Sequence, residues 1–362
     1  MVYDKKMLAL LVLALLVASV SVPAAYAQPR NSNVAVNAVV TVKAAQPTVS
    51  FTVYSDSGYT TPTKEITPQT PVYMKISVSG DNPLNESVIT VQLFADTNPN
   101  AVGTPPASTS PETYVKFTIS YDEAQGEWVL QADTGGSTTW NIKLDPNQPT
   151  PDPTAASGSF YVIITFGKTA REASTSDSAP YKDWDIIVTD TVGTGNLAAT
   201  GQASDYGYTV YFYSETTTTA NTISFGTIQP DTSTVIQAVD GNPANTFTVK
   251  VIANGYYNMS AAGTDWVNST NHYTIQLVAG TPGNSQLSIL IDDNESANNP
   301  GEPAQGVYVN PNVLSAQPFL EKAQPTTESG VTINIYMKLT LGSDIHTGQY
   351  QGTITIFTTN YQ

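Results

Sequence analysis

The sequence predicts an all-β protein: two immunoglobulin-like or jelly-roll-like β-sandwich domains behind a cleaved signal peptide. Three observations carry this expectation. Apolar and polar residues alternate along short runs, the period of a half-buried strand. Gly, Pro, Asn and Asp punctuate the gaps, with 24 Gly and 24 Pro among 362 residues. Only 12% of residues are charged, so the outer strand faces fall to Thr, Ser, Asn and Gln.

Residues 1–27 read as the signal peptide. Lys5 and Lys6 precede an apolar run from Met7 to Val20, and Ala25-Tyr26-Ala27 places small residues at −3 and −1 of a cut before Gln28. The apolar core lies ahead of the cut and is removed with it, the reverse of a prepilin-type signal. The run is also shorter than the roughly 20 residues a comfortable membrane span needs. The expected route is general secretion, cleavage follows Ala27, and the destination is extracellular or the cell surface. The mature chain has no further stretch of transmembrane length.

Residues 28–47 form the candidate N-terminal strand. Val34, Val36, Ala38, Val40 and Val42 share one side of a two-residue period. A strand over Val34–Ala44 can close its own sheet or complete that of a neighbouring copy. Residues 48–190 follow as the first sandwich, with strands expected over Thr48–Tyr54, Val72–Ser79, Val88–Phe94, Val115–Tyr121, Trp128–Gln131, Thr139–Leu144, Ser159–Phe166 and Trp184–Thr189. Trp128, Trp140 and Trp184 are its expected core or sheet-face aromatics. Two long connections, DTNPNAVGTPPASTSPET and DPNQPTPDPTAAS, are rich in Pro. Loops of that length are often mobile or functional. Residues 191–207, rich in Gly and small side chains, read as a linker. Residues 208–362 form the second sandwich, with strands expected over 208–213, 222–225, 233–239, 247–253, 257–261, 274–278, 331–341 and 348–358.

Charge narrows the function. The chain carries a net charge of −16, and the signal peptide takes only Asp4, Lys5 and Lys6 with it. Nucleic acid and anionic membrane surfaces both require a basic face, so neither is an expected partner. The chain has no Cys, which excludes thiol catalysis, disulfides and thiolate metal sites. Two His in the chain, His272 and His346, make a multi-His site unlikely on composition alone.

Several stretches resemble modules of archaeal and bacterial secreted surface proteins. ISFGTIQPDT, from Ile223 to Thr232, resembles their FGxxxPGT strand-turn signature, with Asp231 where Gly is usual. DIHTGQYQGTITIF, from Asp344 to Phe357, resembles their closing hairpin, of the AGTYTGTITI type, and YNMSAAGTDW is similar to the segment between. ITPQTPVYMKISVS with VITVQLF, GEWVL and FGKTAREAS is similar to an immunoglobulin-like module of archaeal secreted proteins. The resemblance implies an archaeal cell-surface β-sandwich protein and brings no catalytic residues with it. The opening strand is similar, in position, length and alternation, to that of archaeal bundling pili and biofilm fibres. There the resemblance implies donor-strand complementation, one subunit's strand completing the next subunit's sandwich.

Signals for chemistry are weak. FGKTAREAS lacks the first glycine of a phosphate loop, since Val162 stands in its place, and no G-x-S-x-G elbow occurs. IDDNESANNPGEP, from Ile291 to Pro303, gathers hard oxygen donors suited to Ca²⁺, with Asp292, Asp293 and Glu295 as candidate ligands, but it lacks EF-hand spacing. No other cofactor is implied. Four N-x-[ST] sequons, at Asn85, Asn258, Asn268 and Asn294, are candidate glycosylation sites. In YTVYFY, Tyr208, Val210 and Phe212 share one face and Thr209, Tyr211 and Tyr213 the other; a half-exposed tyrosine face suits an interface or a carbohydrate. The expected function is a non-enzymatic structural protein of the cell surface. Its expected partners are copies of itself in a filament or pilus, and other surface proteins or glycans. The alternative is a surface adhesin or carbohydrate-binding module.

Overall fold

The computed structural model describes residues 40–175 and 179–361. It is all-β, with three single-turn 3₁₀ helices as the helical content of the described residues. No helix among them is long and apolar enough to cross a membrane.

Ten strands surround the first core: β1 Thr48–Tyr54, β2 Glu65–Ile66, β3 Pro71–Ser79, β4 Ser87–Asp96, β5 Tyr114–Asp122, β6 Glu127–Asp133, β7 Asn141–Leu144, β8 Ser157–Thr165, β9 Asp183–Val192 and β10 Ala199–Val210. They form a four-stranded sheet, β1-β3-β8-β7, and a six-stranded sheet, β2-β10-β9-β4-β5-β6. Strict alternation explains why β1 and β3 sit where the sequence places them. In β3, Val72, Met74, Ile76 and Val78 are buried, while Tyr73, Lys75 and Ser77 turn to the other face. Met74 and Ile76 meet Val91, Phe117 and Val188 of the second sheet in one cluster.

The three tryptophans join this core as expected, and each also solves a polar problem. An indole N–H sealed in an apolar core needs an acceptor. Trp128 donates to the carbonyl of Pro151 at 2.9 Å, Trp140 to that of Pro111 at 2.8 Å, and Trp184 to that of Arg171 at 2.9 Å. Pro111 and Pro151 belong to the two long proline-rich connections. Both loops are therefore pinned to core side chains.

The expected linker is a different object. Residues 191–207 close β9, turn through a 3₁₀ helix at Gly195–Leu197 and form most of β10, which pairs antiparallel with β9. Its glycines serve geometry. Gly193 and Gly195 take positive φ in the turn. A Cβ on Gly201 would stand 2.0 Å from the carbonyl oxygen of Pro47, so only glycine admits that close approach. The run read as one strand over 208–213 splits: Tyr208 and Val210 finish β10 in the core, and a new strand begins after Tyr213.

The remaining strands are β11 Ser214–Thr218, β12 Ile223–Ser224, β13 Ser233–Val235, β14 Ala238–Val239, β15 Asn242–Pro243, β16 Phe247–Ala253, β17 Tyr257–Gly263 and β18 Trp266–Asn268. After them come β19 Thr274–Leu277, β20 Gln286–Asp292, β21 Val307–Tyr308, β22 Pro318–Ala323, β23 Val331–Leu341, β24 Tyr350–Gln351 and β25 Ile354–Asn360. The principal sheet runs β11-β16-β23-β20-β19-β18-β24, with β13 also on β23 and β21 also on β20. It covers a second core that includes Val251, Met259, Leu277, Ile289 and Met337. Strand order β22-β17-β25 makes a small sheet on the same core, and β12-β14-β15 another small sheet. Strand β20 is central and mostly buried, yet its SILID run merges in sequence with the acidic loop that follows.

Between the two cores, a polar seam ties the strands around one to the strands around the other. Glu328 accepts hydrogen bonds from the hydroxyls of Ser137 and Thr139 and, at 3.1 Å, from the backbone N–H of Thr138. Burial opposes its charge, but these donors outweigh that cost and leave its carboxyl below the usual range. Fully buried Asn254 donates to the carbonyls of Ala170 and Tyr211, at 2.8 and 3.0 Å, and accepts from the N–H of Tyr213 at 2.7 Å. Arg171 donates to the carbonyl of Thr326 at 2.8 Å.

Trp140→Phe keeps an aromatic ring against Phe166 and Trp184 but removes the N–H that holds Pro111. The expected loss is about 1–3 kcal/mol in urea unfolding, with faster amide exchange across residues 97–113. Unchanged exchange in that loop would show that the indole hydrogen bond does not pin it.

Candidate functional site

The opening segment is the first candidate. Val34, Val36 and Ala38 lie outside the described residues. Residues 40–47 belong to no strand, so the described end of the expected Val34–Ala44 strand is not laddered in this chain. A local reason is visible at Ala44, whose N–H goes to the carbonyl of Leu197 in a turn, at 3.0 Å. Val40 and Val42 are 76% and 77% exposed.

An apolar cleft of about 440 Å³ lies beside strand β22, lined among others by Tyr257, Leu320, Ala323, Pro325, Val331 and Ile333. β22 is an edge of its sheet, and its pairing with β17 is broken by register shifts. Irregular pairing of this kind blunts an edge without satisfying its outer backbone groups.

The acidic loop brings Asp292 and Asp293 within reach of each other, but among the described residues it does not add a third acid at that point. Asp292 is buried and accepts from the N–H groups of Gln305 and Gly306, both at 2.9 Å, and of Asn294 at 3.2 Å. Burial works against its charge, yet these donors hold its carboxyl below the ordinary range. The neighbouring Asp293 moves the other way, pushed up by burial and by Asp292. Glu295 accepts from the N–H of Gly301 at 2.7 Å. Asp292 and Glu295 thus brace the backbone of their own loop. Among the described residues no group of three or more His, Cys, Asp or Glu forms a ready metal cage.

The four sequons differ in access. Asn294 is exposed, whereas Asn268 is only 2% exposed and caps its own turn through the N–H groups of Thr270 and Asn271. Asn258 is half-buried and accepts from the N–H of Lys322 at 3.0 Å. Asn85 is half-buried too. The tyrosine face also divides: Tyr211 is 44% exposed, while Tyr213 donates its hydroxyl to Glu215.

Nothing in the sequence marked Asp190. It is fully buried on β9, with one oxygen 3.4 Å from the Ser87 hydroxyl and the other unpaired among the described residues. Burial pushes its carboxyl up to about 6, against a smaller downward pull from Ser87. The folded state therefore keeps a proton that the unfolded chain releases nearer pH 4. This contribution to stability is complete at low pH and is lost as pH rises toward about 6.

Two outcomes are expected. Asp190→Asn should gain on the parent as pH rises from about 4 to 6, by on the order of 2 kcal/mol, in denaturant melts taken across that range; a constant difference would contradict the buried acid. In protein from a host that glycosylates its exports, peptide mapping should find glycan at Asn294 and bare Asn268; the opposite pattern would mean modification precedes folding. No protein-family model matches the chain, and no curated protein matches its sequence.

Proposed function

We propose that the protein is a non-enzymatic structural protein of the cell surface, exported by its signal peptide. It assembles with copies of itself by donating its N-terminal strand to the neighbouring subunit. The observation that carries this reading is the exposure of Val40 and Val42, at 76% and 77%, in a segment that belongs to no strand. Both continue the two-residue apolar period of Val34, Val36 and Ala38. Exposed valines in a regular pattern suit a strand completed only on assembly. The acceptor in this reading is the cleft beside β22, where an edge strand and an apolar lining lie together. The seam through Glu328 and Asn254 supports the same role, because a filament subunit must carry load without hinging.

The test is negative-stain imaging of secreted protein with and without residues 28–45. Full-length protein should form filaments, and the truncated chain should give soluble particles. Leu320→Glu should also block assembly in the full-length chain. Filaments that persist without residues 28–45 would refute strand donation. Monomers of the full-length protein that bind glycans through Tyr211 would favour the adhesin.

A further inference from the structure

A second group of carboxylates lies far in sequence from the acidic loop. Asp183 and Asp185 stand on alternate positions of β9, so both leave the same face, while Trp184 between them enters the core. Asp96, the last residue of β4, is the ladder partner of Asp183 and shares that face. On the outside of a sheet such acids would ordinarily be wet. Here Asp183 is 2% exposed and Asp185 not at all. The connection from residue 97 to 113 passes over them, pinned at Pro111 by Trp140.

Each of the three carboxylates spends one oxygen on a backbone N–H. Asp96 Oδ1 accepts from Thr97 at 2.7 Å, Asp183 Oδ2 from Gly207 at 2.8 Å, and Asp185 Oδ2 from Gly103 at 2.6 Å. The other oxygen of each, Asp96 Oδ2, Asp183 Oδ1 and Asp185 Oδ1, is buried and meets no hydrogen-bond donor among the described residues. That sets them apart from Asp292, whose two oxygens are both used. Asp183 and Asp185 lie within hydrogen-bonding reach of each other, and Asp96 repels both. Burial first, then these neighbours, push the Asp185 carboxyl up to about 7. Lys64 is near enough to favour the charge of Asp183, but its ammonium sits on Asp205 at 2.7 Å and on the carbonyl of Tyr206 at 2.6 Å.

Unpaired carboxylate oxygens sealed from water are costly unless a cation or a proton joins them. One shared proton would serve two of the oxygens and leave Asp96 Oδ2 unmet. A hard divalent cation between Asp183 and Asp185 can serve both of their oxygens, and its charge also attracts the Asp96 carboxylate beside them. Ca²⁺ is the better fit, since it takes six to eight oxygen ligands in flexible geometry, carbonyls and waters among them. Among the described residues no three acids converge on one metal position, so Asp96 stands outside the first pair. Asp183 and Asp185 are the primary pair, with Asp96 alongside and the rest of the shell left to carbonyls and water.

We propose that Asp183 and Asp185, with Asp96 beside them, bind one Ca²⁺ ion that latches the 97–113 connection onto the sheet. The site is independent of strand donation. The test uses the full mature chain, stripped with EDTA and titrated with CaCl₂. Calorimetry should show saturable binding, the melting temperature should rise, and amide exchange across residues 97–113 should slow at least tenfold. Asp185→Asn and, separately, Asp96→Asn should weaken binding at least tenfold, while Asp292→Asn should leave it unchanged. The Asp96 variant keeps the test decisive where the Asp185 variant does not fold, because Asp96 is only half-buried. Absence of calorimetric binding would overturn the proposal. So would binding lost in Asp292→Asn but kept in Asp96→Asn. A melting temperature raised by Asp185→Asn and indifferent to Ca²⁺ would instead show a shared proton, and would overturn it too.

Discussion

A buried indole N–H is costly without an acceptor, and much of the structure around the first core follows from how three such groups find theirs. Trp128, Trp140 and Trp184 fill the core with their rings and reach its border with their nitrogens. The acceptors they meet are carbonyls of loops. Proline suits those loops, because its ring restricts the unfolded chain and its carbonyl still accepts. Long connections thereby become part of the packed structure without strands of their own. The covering of Asp183 and Asp185 depends on this, since the loop over them is the one Trp140 holds.

How much of this could be read in advance depended on where each residue's partner lies. Strand β1 is found as expected, residue for residue, because its alternation is a local signal. Strand β10 was expected as a linker because glycine and alanine are equally at home in flexible chain. Gly201 is there because Pro47, more than 150 positions away in sequence, presses its carbonyl against it. Strand β20 escaped notice since its apolar run is short and flows into acidic residues that belong to its own end. The carboxylates of β9 were less legible still. On the strand they look like ordinary outward-facing acids, and only the loop from residues 97–113 changes their surroundings. The loop at Asp292 looks more like an ion site, yet Asp292 and Glu295 face inward to their own backbone.

The buried acids show how differently one residue type can be settled. Asp292 is held below the ordinary carboxylate range by backbone donors that offset burial. Asp190 has one weak donor and retains its proton into mildly acidic solution. Glu172 has one oxygen on the Asn360 amide at 2.7 Å and is also pushed upward by burial. A chain with few basic residues has little cation of its own to spend on such groups. Backbone N–H groups, protons and external ions are then the remaining means of keeping carboxylates in the interior.

The passage from one core to the other has a mechanical consequence. Between the end of β10 at Val210 and the start of β11 at Ser214 the chain has only Tyr211, Phe212 and Tyr213. Asn254 grips this short span at both ends, through the Tyr211 carbonyl and the Tyr213 N–H. A pull along the chain would therefore meet no slack between the two cores. It would load the β9–β10 and β11–β16 ladders in shear, with their hydrogen bonds resisting together instead of parting one after another. The stretch that composition marks as yielding leads directly into a three-residue passage that Asn254 holds at both ends.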